Sequence, residues 1–64
     1  MNLYNIYMKT KGMKKFRPMD LSKGIPVINL MYATLLTHKD AYNILLNLIE
    51  DNPTMEFKKV KVKG

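Results

Sequence analysis

The stretch GIPVINLMYATLLTHKDAYNILLNLIEDNPTMEF, residues 24–57, holds most of the apolar content of a 64-residue chain. Its reading decides the fold. The apolar run ends at Thr37-His38-Lys39-Asp40, and the period of the apolar residues changes there from strand-like to helical. Thr37 is a good N-cap, and Asp40 stands three residues on, in a capping-box arrangement with Asp in place of the usual Glu. Ala41, Ile44, Leu45, Leu48 and Ile49 then follow the i, i+3, i+4, i+7 spacing, with Tyr42 and Leu46 extending the stripe sideways. The spacing predicts a helix over about 38–51. Asn52-Pro53 ends it, because a residue before proline avoids the α region.

Upstream of the cap, residues 26–36 read as the best strand. Val27, Met31, Ala33 and Leu35 would share one face, with Asn29 among them, and Ile28, Leu30, Tyr32 and Leu36 the other. Helical periodicity also fits NLMYATLL. The β-branched residues, Pro26 and the following cap favour a strand. Downstream, residues 55–62 read as a last strand whose parity slips between Phe57 and Val60, so a β-bulge is expected at Lys58-Lys59. At the start, residues 2–9 are rich in β-formers, and Lys11-Gly12 makes a turn. Residues 13–19 form a second strand that Pro18 ends or confines to an edge.

The expected fold is a single α+β domain over residues 1–64. A small antiparallel sheet of three to four strands, in the order β-β-β-α-β along the chain, carries one helix on one face. Both faces of the 26–36 strand are apolar, and one helix covers one face only. A domain this short, with no cysteine to cross-link it, needs another staple. Self-association into a homodimer is therefore expected, through either Ile28, Leu30, Tyr32 and Leu36 or Val27, Met31, Ala33 and Leu35, with Tyr4 or Tyr7 on the neighbouring strand; the competing reading makes this face the target-binding surface of a monomer.

The formal net charge is +6, and ten of the eleven basic residues are Lys. The charge sits in the segments flanking the helix. Lys9, Lys11, Lys14, Lys15, Arg17, Lys58, Lys59 and Lys61 are the candidate contacts to an acidic partner or to nucleic acid. Solubility of a small Lys-rich protein explains the same charge, and base readout would favour Arg. Tyr4, Tyr7 and Phe16 interleave with bases in YNIYMKTKGMKKFR, as stacking platforms for single strands do, although such aromatics also build cores.

No nucleophile–base pair, phosphate-binding glycine motif or metal-ligand spacing is evident, and the residues point to no catalytic site, cofactor or metal. His38 beside Asp40 has the makings of an oriented general base, but a solvated residue in the first helical turn is the favoured reading. No leader or membrane-spanning run is visible, so a cytoplasmic location without membrane contact is expected.

The pattern of Tyr7-Met8-Lys9, Phe16, Asp20, Gly24, Asn29-Leu30-Met31-Tyr32-Ala33-Thr34-Leu35 and Asn52-Pro53 covers most of the chain. It resembles short accessory proteins encoded by phages and prophages of Gram-positive bacteria. The resemblance implies a viral, anti-defence inhibitor: small, non-enzymatic, often dimeric, acting in the host cytoplasm by occluding a host defence protein or protein–nucleic acid complex. Anti-CRISPR proteins and inhibitors of systems such as Hachiman belong to that functional group. The net charge departs from the acidic inhibitors that imitate DNA, which leaves an acidic protein surface, nucleic acid or a guide complex as the target class. The alternative is a small basic nucleic-acid-binding or regulatory protein that uses its Lys-rich sheet.

Overall fold

The computed structural model describes residues 2–62. It shows the expected α+β architecture. β1 spans Leu3–Lys9, β2 Arg17–Asp20, β3 Ile25–Pro26 and β4 Leu36–Thr37; α1 spans His38–Asp51 and β5 Glu56–Lys61. All pairings are antiparallel. β1 is the centre. β5 pairs with it from Tyr4↔Lys61 to Lys9↔Glu56. β2 and β4 share its other edge end to end, through Tyr7↔Pro18 and Met8↔Arg17, then Leu3↔Thr37 and Tyr4↔Leu36. β3 lies outside β2.

Alternation along β1 sends Tyr4, Ile6 and Met8 to one face and Leu3, Asn5, Tyr7 and Lys9 to the other. The helix covers the first face. Ile6, Met8, Met19 and Ala41 are buried together, and Leu36, Leu45, Leu48, Met55 and Phe57 pack around them. The helix begins as its sequence dictates: Thr37 Oγ1 accepts from the Asp40 N–H at 3.3 Å. At its end the backbone N–H and Nδ2 of Asn52 both donate to the Leu48 carbonyl, at 3.0 Å each.

Three expectations need correction. Residues 26–36 are not one strand. Only Ile25–Pro26 and Leu36–Thr37 pair, and a 3-10 turn over Leu30–Tyr32 lies between them. Asn29 starts that turn, its Oδ1 accepting from Met31 N–H at 2.9 Å. The end of the segment is pinned by Thr34. Its N–H donates to the Met19 carbonyl at 3.0 Å. Its Oγ1 accepts from Leu21 N–H at 2.8 Å, and its carbonyl accepts from Asn5 Nδ2 at 2.9 Å. The local bond of Asn29 and the long-range bonds of Thr34 thus take the place of a ladder.

The second correction is to residues 13–19: pairing starts only at Arg17. Met13 N–H closes a turn onto the Thr10 carbonyl at 3.0 Å, with Gly12 at a φ of 97°. The third concerns β5, whose register with β1 is continuous, without a bulge. Phe57 and Lys59 therefore share the helix face, while Lys58, Val60 and Val62 lie on the other. Lys59 is tolerated there because its stem runs along aromatic rings while its ammonium stays wet. Its Nζ lies 5.6 Å from the Tyr4 ring centroid, 5.7 Å from that of Tyr42 and 3.4 Å from His38 Nε2.

Candidate functional site

The helix leaves the opposite face of the sheet free, and the segment 27–35 forms a wall beside it. Val27 N–H is held by the Pro18 carbonyl at 2.8 Å, Ala33 is buried, and Thr34 is pinned as described. Between these anchors the chain projects. Ile28 is 86% exposed and Met31 78%, with Leu30, Tyr32 and Leu35 each more than half exposed. Five large apolar residues stand open to solvent within eight positions, a concentration of exposed apolar surface of the kind that marks interaction sites. Its backbone is held by hydrogen bonds, so binding through it would cost little ordering entropy.

At the foot of this wall lies a shallow depression of about 270 Å³, lined by Asn5, Tyr7, Leu30, Val60, Lys61 and Val62. Asn5 is buried there and hydrogen-bonded to Thr34, so no buried side-chain polar atom among the described residues lacks a partner. Farther along the same face, Phe16 lies under two ammonium groups, Lys58 Nζ at 4.4 Å and Lys9 Nζ at 6.0 Å from its ring centroid. Such distances are those of cation–π contacts. A second hollow of about 300 Å³ lies among Met13, Lys14, Lys15 and Arg17.

The sequence-derived candidates are thus split. Tyr7, Leu30, Lys9 and Lys58 belong to the free face, and Ile28 and Tyr32 stand on the wall beside it. Tyr4 and Lys59 belong to the helix face. Lys11 is exposed on the β1–β2 turn, next to Gly12. His38 meets Tyr4, edge to face with centroids 5.2 Å apart, and Lys59. It thus meets an aromatic ring and an ammonium, neither of which orients it as a base.

Val60 and Val62 were not among the expected contacts of a partner, whereas Met31 and Leu35 belong to the second of the two faces that the sequence offered. The continuous register reveals the two valines; a count along β5 without a bulge would have found them. The prominence of Met31 and Leu35 depends on the 3-10 turn.

Among the described residues, no group of three or more His, Cys, Asp or Glu side chains is placed to hold a metal ion. No helix among them is long and apolar enough to cross a membrane. Comparison with known protein families, curated proteins and solved structures found no match.

Proposed function

We propose that this chain is a non-enzymatic binding protein that docks its 28–35 wall into another protein and blocks it. The anti-defence role, with a bacterial defence protein as the target, comes from the phage-accessory resemblance. The observation that carries the binding reading is the apolar wall: Ile28, Leu30, Met31, Tyr32 and Leu35 exposed on an anchored loop. Full burial of a large apolar side chain is worth about 1.5–3 kcal/mol, so covering this wall offers on the order of 5–10 kcal/mol. Lys9 and Lys58, farther along the same sheet face, favour a target whose apolar cleft has an acidic flank. A homodimer would use the same wall, because Tyr4 and Tyr7 lie on opposite sheet faces and cannot join one patch with Ile28.

The test is phage plating on bacteria that carry individual defence systems and express this chain. Restored plaque formation under one system, lost in an Ile28→Asp/Met31→Asp double variant that stays folded, is the expected result. No restoration across a broad panel would overturn the anti-defence reading. Light scattering at micromolar concentration separates the docking wall from a dimer interface.

A second reading is supported by Phe16. Its ring, bracketed by Lys9 and Lys58 on the face that also carries Tyr7, is an arrangement that stacks bases and holds phosphates. Filter binding of single-stranded DNA and RNA at two salt concentrations tests it.

A further inference from the structure

We propose that the outer edge of β5 is a strand-addition site for an extended acidic peptide in which apolar and acidic residues alternate. This edge is separate from the 28–35 wall, and the inference does not depend on that reading.

Among the described residues β5 has one neighbouring strand, β1, paired along its whole length. The phase of the ladder follows from one bond: Val62 N–H donates to the Leu3 carbonyl at 2.8 Å. In an antiparallel pair the inward-facing backbone groups recur at every second residue. Val60, Lys58 and Glu56 therefore turn their backbone groups toward β1. Phe57, Lys59 and Lys61 turn theirs to the open edge, ready for another strand.

The side chains of the same three residues lie on the helix face, since Phe57 stands opposite Met8, Lys59 opposite Ile6 and Lys61 opposite Tyr4. One flank of α1 overhangs them. At 100° per residue, His38, Tyr42, Leu46 and Ile49 share that flank. It is the β5 side, because Lys59 Nζ reaches both His38 and Tyr42. The short turn through Pro53 folds β5 back along the helix, which places Leu46 and Ile49 over its first half. Tyr42, Leu46 and Ile49 remain about half exposed. They leave an apolar overhang alongside three N–H and three C=O groups that have no backbone partner among the described residues.

Charge selects the occupant. β5 carries Lys58, Lys59 and Lys61 against Glu56 alone. An incoming strand that sets acidic side chains beside Lys59 and Lys61, their apolar stems under the overhang, and apolar side chains beside Val60 on the other face satisfies both features. A second copy of β5 would bring lysines against lysines, which is how sheet edges are kept from pairing with themselves.

The experiment is an NMR titration of the isotope-labelled full chain with a seven-residue peptide alternating Glu and Val, capped at both ends. The expected result is that the largest amide shifts fall on Phe57, Lys59 and Lys61, with methyl shifts at Leu46 and Ile49. Hydrogen exchange at those three amides slows at least tenfold. N-methylation of one alternate set of peptide amides weakens binding at least tenfold, while methylation of the other set does not. Leu46→Asp, at an exposed position, also loses binding while its spectrum stays folded. The proposal is overturned if the three amides do not respond at millimolar peptide, if all methylated peptides bind equally, or if the shifts fall on residues 28–35. It is equally overturned if the three amides are already protected in a species of twice the mass, which would mean that a second copy holds the edge.

Discussion

The side-chain amide of Asn5 donates to the main-chain carbonyl of Thr34 at 2.9 Å, across 29 positions of sequence. Asn5 is buried at the centre of β1, and Thr34 closes the projecting wall. Burying an amide is costly unless it is paired, so this bond ties the wall to the strand on which the whole sheet is built. Asn5→Ala leaves the Thr34 carbonyl without that donor and should cost about 1–3 kcal/mol. Urea denaturation reads the loss. Hydrogen exchange should show the Tyr32, Ala33 and Thr34 amides opening more readily, while those of α1 follow the global change only.

The wall itself should be energetically idle in the free protein. Ile28 and Met31 are mostly exposed, so Ile28→Asp and Met31→Asp should each change stability by no more than about 0.5 kcal/mol. A shift in urea midpoint beyond that range would mean that these side chains are covered in solution. Binding of an apolar dye should fall in the double variant.

Phe16 and Lys58 offer a test of the nucleic-acid reading. Phe16→Ala should weaken single-strand binding by about 1–3 kcal/mol with little change in salt dependence. Lys58→Ala should instead reduce the slope of log affinity against log salt by about 0.7, the value for one phosphate contact on a single strand. Equal and small effects from both variants would remove this face as a nucleic-acid surface.

The turn between β2 and β3 titrates in acid. The Ser22 hydroxyl donates to Asp20 Oδ1 at 2.6 Å, and the Ser22 N–H donates to the same oxygen at 3.0 Å. The Ser22 hydroxyl is the main cause that holds the Asp20 carboxyl below its usual 3.8, helped by the Ser22 and Lys23 amides and the Lys23 charge and opposed by partial desolvation. Because the folded value lies below the unfolded one, the stabilisation is present above about pH 4 and is lost as the pH falls through the lowered folded value. Thermal melts of wild type and Asp20→Asn should therefore differ most near neutral pH and converge in strong acid. Gly24 completes this turn at a φ of 67°, so Gly24→Ala should cost about 1–2 kcal/mol through backbone strain alone.

The helix over 38–51 was legible residue by residue, because Thr37, Asp40, the apolar stripe and Asn52-Pro53 act within one or two turns of where they stand. The strands at both ends were legible for the same reason: β-formers alternate locally. The α+β class followed from those elements. The fate of residues 26–36 was not local. Their apolar alternation suits a strand, but a strand needs a free edge along its length. On the side of β1 away from β5, β2 already pairs Tyr7 and Met8, which leaves Leu3 and Tyr4 for Leu36–Thr37 alone. Asn29 turns the chain, and Thr34 finds its partners on Asn5, Met19 and Leu21, none of them near it in sequence. The side of Val60 and Val62 was likewise hidden. Parity within β5 invited a bulge, and only the register against β1, set by hydrogen bonds to a strand some fifty positions away, placed Lys59 under the helix and turned the valines to the other face.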